Sequence, residues 1–280
     1  MIVVADSGAT KAHWRVMDEC GLMASFDTDG LNPFHINPNQ YAGIIGSSIP
    51  KKVKQESVTK LFFYGAGCAT EQMAKQVEQG LKSFFTAAHV EVYSDILGAA
   101  RALFGSSSGL VVILGTGASV GFYNGEEVER KTPSLGYAIG DEGSGAFLGK
   151  ELLKHWLYGD LSTETAKELH TFCPLELSEI LENIYSKPNA AKFLAGYVPF
   201  IAKHSHFPDI DNLLKFSFKQ LVANHLDKYP QLKKIPVGVV GSVGYIFANY
   251  VKAAIENAGG SLHNIIRYPI DQMCSYHFKQ

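Results

Sequence analysis

The feature that most restricts the fold is a short segment that occurs twice. Residues 3–10 (VVADSGAT) align without gaps with residues 112–119 (VILGTGAS), 109 residues further along the chain from Val3 to Val112. Each copy reads as an apolar strand, a turn of small residues with a hydroxyl, and a second strand, over 12–17 or 120–123. Chance similarity in so short a window is the alternative. A genuine repeat predicts two similar halves whose glycine turns face each other across a cleft.

Strand and helix signals alternate along the rest of the chain. Short β-rich runs that end in glycine or polar turns predict strands at Ile2–Ala5, Lys60–Tyr64, Val90–Tyr93, Leu110–Leu114, Val120–Tyr123 and Val237–Val240. Helical periodicity occurs at Glu71–Phe85, Ile96–Phe104, Ala146–Leu157, Asp209–Leu226 and Tyr245–Asn257. This alternation predicts an α/β fold. The stretch 162–226 is almost wholly helical, and it reads as an insertion or as a helical layer on the second half.

Composition excludes several classes of protein. The chain is 46% apolar and 19% charged, which is enough apolar material for a packed core. With 25 Lys and Arg against 27 Asp and Glu, there is no overall field to attract nucleic acid or an anionic membrane. The four cysteines are too widely spaced for a zinc ribbon or an iron–sulfur run, so we expect reduced thiols in the cytoplasm. Neither a signal peptide nor a run of eighteen apolar residues is present.

The two glycine turns have the composition of phosphate-binding loops. In the first, Gly8, Thr10 and Lys11 offer backbone donors, unhindered approach, a hydroxyl and a countercharge. Asp6, at the end of the strand, is suited to hold Mg²⁺ through water. An ordinary hairpin turn is the alternative. The second turn, GTGAS at 115–119, carries hydroxyls at Thr116 and Ser119.

Three familiar motifs are excluded around these turns. A dinucleotide fingerprint fails because its third glycine, Gly121, comes one residue late. Residues 117–121 satisfy G-x-S-x-G, but a strand and an Asn-Gly turn follow instead of the helix that a nucleophile elbow requires. No Walker A motif occurs, since Gly149-Lys150 is followed by Glu151.

Other candidate residues lie at the ends of later predicted strands. Asp95 follows the strand Val90–Tyr93, where it either caps a helix or accepts a proton from an attacking hydroxyl. GDEGSG at 140–145 places two adjacent carboxylates between glycines. Such a pair is unfavourable in a hydrophobic core, and it indicates a binding site for a polar substrate. Gly241 and Ser242 form a strand–glycine–helix turn that suits a base and ribose, or simply a tight turn.

Together these segments resemble the sugar kinases and ATPases of the actin/hexokinase/Hsp70 superfold. The segments with matching order and approximate spacing are DSGATK at 6–11, GLN at 30–32, SDILGAARALFG at 94–105, LGTGAS at 114–119, GDEGSG at 140–145 and VVGSVG at 239–244. Within that group, the chain is most similar to the BadF/BadG/BcrA/BcrD ATPase family, in particular to its N-acetylglucosamine kinase branch. The resemblance extends over nearly the whole length.

The resemblance implies two ribonuclease-H-like (actin-like ATPase) lobes with ATP and Mg²⁺ in the cleft between them. The lobes would span 1–107 and 108–280, with a helical insertion in the second and a tail that returns to the first. The matching positions are Asp95 as general base; Gly8, Thr10, Lys11, Gly117 and Ser119 for the phosphates; Asp6 for Mg²⁺ through water; Asn32, Thr116, Gly136 and Asp141 for the sugar; and Gly241 with Ser242 for adenosine.

The chain also departs from the family pattern. Ser7 and Ala9 stand where the first turn usually has glycines, and Ser134-Leu135 replaces a frequent Gly-Trp before Gly136. In the tail, residues 272–274 replace a more usual glycine-led run. These changes bear on the identity of the sugar more than on the fold.

Three functions are compatible with these observations. The first is an ATP-dependent kinase of an amino sugar, with N-acetylglucosamine first among the candidates. The second is a BadF-type ATPase that activates a partner redox enzyme, although the scattered cysteines do not match the cluster cysteines of those relatives. The third, a nucleotide-sensing regulator, is disfavoured because Asp95 is present and no DNA-binding segment is visible. We expect a small-molecule sugar as partner, and neither nucleic acid nor membrane; a homodimer is left open.

Overall fold

The structure is a computed structural model that describes residues 1–8, 10–34 and 36–278. In chain order the strands are β1 (Ile2–Ser7), β2 (Lys11–Asp18), β3 (Gly21–Asp29), β4 (Lys60–Gly65), β5 (His89–Ser94), β6 (Gly109–Leu114), β7 (Ala118–Tyr123), β8 (Val128–Lys131), β9 (Pro236–Val240) and β10 (Ser261–Ile266). The helices are α1 (Tyr41–Ser48), α2 (Glu71–Lys82), α3 (Asp95–Phe104), α4 (Gly136–Ile139), α5 (Gly145–Leu157), α6 (Thr163–Phe172), α7 (Leu177–Tyr185), α8 (Ala190–Ala195), α9 (Val198–Lys203), α10 (Pro208–Asn224), α11 (Ser242–Ile246), α12 (Ala248–Asn257) and α13 (Ile270–Phe278).

The chain divides into two compact units. Unit 1 consists of Met1–Ser107, Gly125–Val128 and Tyr268–Gln280, and unit 2 of Ser108–Asn124 and Glu129–Arg267. Each unit contains one five-stranded mixed sheet. The last helix, α13, therefore belongs to unit 1 although the whole of unit 2 precedes it in the chain.

The sheet of unit 1 has the order β3-β2-β1-β4-β5. The strands β1 and β2 form an antiparallel hairpin, while β4 lies parallel to β1 and β5 parallel to β4. Successive residues of β1 are fully buried because both faces of the sheet are covered. Val3 and Ala5 pack into the core with α1 and α2 residues, whereas Val4 packs with Tyr64 and Met273 beneath α13.

The sheet of unit 2 repeats this arrangement. Its order is β10-β9-β6-β7-β8, with β6 antiparallel to β7 and parallel to β9. Each sheet is thus built around a central strand with a hairpin partner on one side and two parallel strands on the other. The two copies of the sequence repeat form the hairpins β1–β2 and β6–β7, as predicted. The observed fold class is the predicted α/β fold with two mixed sheets.

The helices α6–α10 form a layer that packs against the rest of unit 2. Buried residues of these helices, including Leu169, Ile180 and Phe200, belong to the same core as Val112 of β6. The helix α5 comes so close to α8 that a Cβ atom on Gly149 would lie 1.9 Å from the Leu194 carbonyl oxygen. The residues of the helical stretch therefore share the core of the sheet.

Several elements differ from the sequence-based expectation, and α1, α4 and α13 lie outside the helices that it named. The strands β3, β8 and β10 were not predicted. β3 and β10 are partly exposed and mix polar residues with apolar ones, and β8 is one valine followed by three exposed charged residues. The helix expected at Tyr245–Asn257 is two helices, α11 and α12, which are separated at Phe247. Among the described residues, no helix is both long and apolar enough to cross a lipid bilayer.

Candidate functional site

The first group of candidate residues lies at one edge of the unit 1 sheet. Ser7 pairs with Gly65, and Gly65 pairs with Ser94, so β1, β4 and β5 end in one row. Asp95 follows Ser94 directly and begins α3. The carboxyl ends of parallel strands are the usual ligand-binding edge of an α/β sheet.

Asp6 and Asp95 are two carboxylates that repel each other at this edge. Burial, with the negative charge of Asp95 as the second cause, raises the pKa of Asp6 from 3.8 to about 7. The Asp95 carboxylate accepts a hydrogen bond from the Ile96 N–H at 2.8 Å, which fixes its orientation. Burial and the same Asp95 charge also raise the pKa of the Cys68 thiol to about 12.

These two carboxylates fit a hard divalent cation. A cation beside them would stabilise the charged form of Asp6, whose pKa is raised by burial and then by the Asp95 charge. No group of three or more His, Cys, Asp or Glu side chains suited to a metal was found within residues 1–8, 10–34 and 36–278. One or two carboxylates are sufficient for Mg²⁺, which keeps most of its water shell and takes further oxygens from phosphates.

The first glycine turn joins β1 to β2. The Gly8 N–H donates to the Lys11 carbonyl oxygen at 3.0 Å, so this donor is used inside the turn. A Cβ atom on Gly8 would meet only that oxygen, at 3.6 Å, and the exposed turn is therefore open to a ligand. Thr10 is exposed in the same turn, and its carbonyl oxygen accepts from the Gly30 N–H at 3.1 Å. Ala9 lies outside the described residues.

Lys11 is engaged by a strand that the sequence did not predict. Its Nζ atom lies 2.7 Å from Asp27 Oδ2 on β3, and His13 Nδ1 lies 2.7 Å from Asp27 Oδ1. Although burial raises the pKa of Asp27, the hydrogen bonds from Lys11 and His13 hold it below its ordinary value. A phosphate would therefore compete with Asp27 for the Lys11 ammonium group.

Asn32 lies beside the turn that follows β4. Its Oδ1 atom accepts a hydrogen bond from the Phe34 N–H at 3.0 Å. A Cβ atom on Gly67 would come within 2.7 Å of that oxygen, and Gly67 has φ +86°. Both the close contact and the positive φ therefore require glycine at this position. The neighbouring Leu31 N–H donates to Ser7 Oγ at 2.9 Å, which ties this segment to the end of β1.

The second group of candidate residues surrounds the turn between β6 and β7 in unit 2. The Gly115 N–H donates to the Gly117 carbonyl oxygen at 3.0 Å. The first two N–H groups of α5 donate to the carbonyl oxygens of Gly115 and Thr116, at 2.9 and 3.0 Å. Ser119 Oγ is buried and has no hydrogen-bond partner among the described residues. An unpaired buried hydroxyl costs about 1–3 kcal/mol, which fits a polar contact made by a ligand.

Asp141 packs directly against this turn. Its backbone has φ +59°, an uncommon value for a residue other than glycine. Its Oδ2 atom would lie 3.0 Å from a Cβ atom on Gly117, and the carboxylate accepts a hydrogen bond from the backbone of Ala118. Burial raises the pKa of Asp141, and the charge of Glu142 adds to that effect. Asp141, which is a predicted sugar-binding residue, thus contacts the turn that is predicted to bind phosphate.

Glu142 is held by a pair of residues that sequence reasoning missed. His225 Nε2 and Asn224 Nδ2 each lie 2.9 Å from a different oxygen of the Glu142 carboxylate. Burial raises the pKa of Glu142, but hydrogen bonds to its own backbone, to His225 and to Asn224 hold it below its ordinary value. Because 83 residues separate Glu142 from His225, no local pattern signalled this contact.

Two further glycines of unit 2 were predicted site residues. Gly241 lies against the end of β6, where the β6–β7 turn begins, and Gly136 lies in the segment before Asp141. Gly241 has φ +122°, and a Cβ atom on it would lie 2.2 Å from the Leu114 carbonyl oxygen at the end of β6. Ser242 begins α11 directly after it. Gly136 begins α4, and its carbonyl oxygen accepts from the Gly140 N–H at 2.9 Å, next to Asp141.

Each unit therefore brings together a subset of the predicted residues. Unit 1 collects Asp6, Gly8, Asn32 and Asp95 at one sheet edge, with Thr10 and Lys11 in the adjoining turn. Unit 2 collects Thr116, Gly117, Ser119, Asp141 and Gly241 around the β6–β7 turn. Ser242 follows Gly241 directly, and Gly136 is linked to Gly140, the residue before Asp141, by a backbone hydrogen bond. The chemical roles of these residues stay predictions.

The paired mixed sheets define a protein of the actin-like ATPase superfold, and solved structures identify the family. The chain is 33% identical to a candidate N-acetylglucosamine kinase from Porphyromonas gingivalis, covering 100% of this chain and 99% of that one with a TM-score of 0.95. The chain therefore belongs to the N-acetylglucosamine kinase-like family. No protein-family model matches it, and no curated protein does.

Two more distant structures support the fold. A candidate N-acetylglucosamine kinase from Chromobacterium violaceum is 20% identical, with 98% of each chain covered and a TM-score of 0.75. A ROK family glucokinase from Streptomyces griseus, solved in complex with glucose and AMPPNP, is 14% identical, with 98% of each chain covered and a TM-score of 0.56.

Proposed function

We propose that the protein is an ATP-dependent sugar kinase that transfers the γ-phosphoryl group to the primary hydroxyl of an amino sugar, first of all N-acetylglucosamine. The observation that carries this proposal is the interaction of Asp95 with Asp6 at the carboxyl edge of the unit 1 sheet, where Asn32 lies beside the turn that follows β4. Membership of the N-acetylglucosamine kinase-like family supports the reaction. The glucose and AMPPNP of the more distant glucokinase support the pair of ligand types.

In this proposal Asp95 is the general base. Its carboxylate is held by the Ile96 N–H at the first turn of α3, and it accepts the proton of the sugar hydroxyl as the phosphoryl group is transferred. Asn32 orients the sugar, because its amide lies at the same edge of the sheet. Asp141, Thr116 and Gly136 are the sugar-binding residues proposed within unit 2.

Each glycine turn has its own set of proposed nucleotide-binding residues. Gly8 leaves space for the phosphates, and Thr10 offers a hydroxyl. Ser119 offers a buried hydroxyl that lacks a partner, and Gly117 an unhindered backbone. Lys11 supplies a countercharge once it is released from Asp27. Gly241 and Ser242 would lie against adenosine.

Asp6 would hold Mg²⁺ through water in the active protein. When bound, the cation neutralises charge on the phosphates. The raised pKa of Asp6 indicates that, without a cation, this carboxyl is partly protonated near neutral pH. Assignment to the BadF/BadG/BcrA/BcrD family is part of the same proposal.

The decisive experiment is a sugar panel with coupled detection of ADP. We expect phosphorylation of N-acetylglucosamine to exceed that of N-acetylmannosamine, glucosamine and glucose, with ³¹P NMR showing the ester on the primary hydroxyl. Preference for another sugar of the panel would correct the proposed substrate, but it would still support the proposed kinase activity. ATP hydrolysis without phosphorylation of any sugar would contradict the proposal and favour the BadF-type activator.

A further inference from the structure

Arg101 is a partly buried cation that the proposed reaction does not use. It lies in the last turn of α3, where its Nη1 atom donates to the Tyr64 hydroxyl at 2.8 Å. Its Cζ atom lies 4.5 Å from the ring centre of Tyr93 and 5.1 Å from that of Tyr276. Cation–π contacts with these rings therefore hold the guanidinium in a defined orientation.

No direct ion pair balances the charge of Arg101. Within the described part of the chain, no carboxylate oxygen lies within the 4.0 Å of a salt bridge to it. Its Nε atom is buried and has no hydrogen-bond partner there. The Glu91 carboxylate is engaged by the Tyr93 hydroxyl instead. A desolvated cation without a counterion is unfavourable, and the forked N–H groups of arginine match an oxyanion.

A surface cavity of about 500 Å³ opens beside this guanidinium. Besides Arg101, polar side chains from the turn after α3 and from α13 line it, namely Ser106, Gln272 and Ser275. Ser106 and Gln272 are exposed, and their hydroxyl and amide groups can donate hydrogen bonds to a ligand in the cavity. Of the residues that the structure describes, none with an acidic side chain lines the cavity.

We propose that this Arg101 cavity binds a small oxyanion, either a phosphate group or the carboxylate of a small molecule. Arg101 supplies the countercharge, and Ser106 and Gln272 supply hydrogen bonds. An anion held there contacts both α3 and α13, which already pack closely: a Cβ atom on Gly98 would lie 2.6 Å from Met273 Cε. The site lies at the end of α3 opposite Asp95, and it does not depend on the kinase activity.

Isothermal titration of the full chain with inorganic phosphate, and separately with acetate, tests this site. We expect one of the two anions to bind, and Ser106→Asp to weaken that binding at least about tenfold because it brings a like charge to the cavity. Ser107→Asp is the matched control, since it adds the same charge one residue outside the lining. We expect its affinity to stay within about twofold of the wild type.

A second variant tests the guanidinium itself. Arg101→Gln should abolish binding, but it also disturbs the tyrosine contacts, so its thermal midpoint is measured alongside. Loss of binding in Ser106→Asp at an unchanged midpoint supports the proposal whatever the stability of Arg101→Gln. Failure of both anions to bind at millimolar concentration would overturn it, as would binding that neither Ser106→Asp nor Arg101→Gln alters.

Discussion

At the scale of single residues, Asp95 is defined by its strand and its helix. The strand β5 brings it to the end of the sheet, and the Ile96 N–H fixes its carboxylate at 2.8 Å. Asp6, two strands away in the same sheet, carries a pKa raised to about 7 by burial and by the Asp95 charge. These neighbours place a carboxylate, in a fixed orientation, where the proposed reaction needs a proton acceptor.

Replacement of this acceptor tests the proposed mechanism. We expect Asp95→Asn to lower kcat by about 10²- to 10⁴-fold, because the amide cannot accept the proton of the sugar hydroxyl. The amide oxygen can still accept from the Ile96 N–H, so folding and AMPPNP binding should persist. Coupled ADP release gives kcat and calorimetry gives the nucleotide affinity; unchanged turnover would remove Asp95 from the mechanism.

The pair of residues that holds Glu142 allows a second test in unit 2. We expect Glu142→Gln to raise the KM for the sugar about tenfold, because the loss of charge loosens the contacts with His225 and Asn224 and releases the strained backbone of Asp141. The KM for ATP should change less. Glu182→Gln, which alters an exposed ion pair with Lys187, is the control. An equal rise in both KM values would show a general loss of structure instead.

The candidate residues of unit 1 were predictable because they follow strands. Asp6 and Asp95 end or follow apolar runs, and parallel strands bring their carboxyl ends to one edge. The partner of Lys11 was not predictable, since Asp27 lies on β3, a strand with alternating polar residues. Glu142 and His225 meet only through the packing of α10, which no local pattern encodes.

At the scale of elements, the buried strands were the easiest to predict. The central strands β1 and β6 are apolar on successive positions because helices cover both faces of each sheet. The strands β3, β8 and β10 lie at the edges of their sheets, where burial is partial. Their polar residues resemble those of turns, so the sequence did not identify them as strands. The helical layer was predictable from periodicity, but its shared core with the sheet depends on distant contacts.

The helix α13 carries a histidine that makes its packing sensitive to pH. His277 stacks on Phe62, and its Nε2 atom lies 2.7 Å from the Tyr64 hydroxyl. Burial lowers the pKa of His277 from 6.5 to about 4; the charges of Arg101 and Lys60 act in the same direction, and Glu91 opposes them. The folded state therefore holds this imidazole neutral.

This histidine should make the protein less stable in acid. Below pH 6.5 the imidazole of His277 binds a proton in the unfolded chain but stays neutral in the folded state. The contribution of His277 to stability is therefore full above pH 6.5 and is lost as the pH falls toward 4. Between pH 7 and pH 5 we expect His277 to account for a loss on the order of 1 kcal/mol, after allowance for its partial exposure. Urea unfolding at pH 7 and at pH 5 measures this loss. In His277→Gln, the free energy of unfolding should differ less between the two pH values. An identical difference in the variant would contradict the assignment.

At the scale of the whole molecule, nucleotide binding should stabilise the folded chain. With Mg²⁺ present and AMPPNP at about 100 times its Kd, linkage predicts a gain of about 2.7 kcal/mol in the free energy of unfolding. Removal of the cation with EDTA should reduce this gain, because Asp6 and Asp95 would then face the phosphates without a neutralising charge. Thermal unfolding monitored by circular dichroism measures both effects. A midpoint that AMPPNP leaves unchanged would argue against nucleotide binding.

The order in which the chain supplies unit 1 has a consequence for biosynthesis. Val4 and Tyr64 are synthesised early, yet their apolar cover comes from Ile270 and Met273 of α13. During translation, one face of the nascent first sheet therefore stays uncovered until the whole of unit 2 has been synthesised. A truncation before α13 would leave that surface permanently open, and chaperone binding or aggregation of such a fragment is the expected fate.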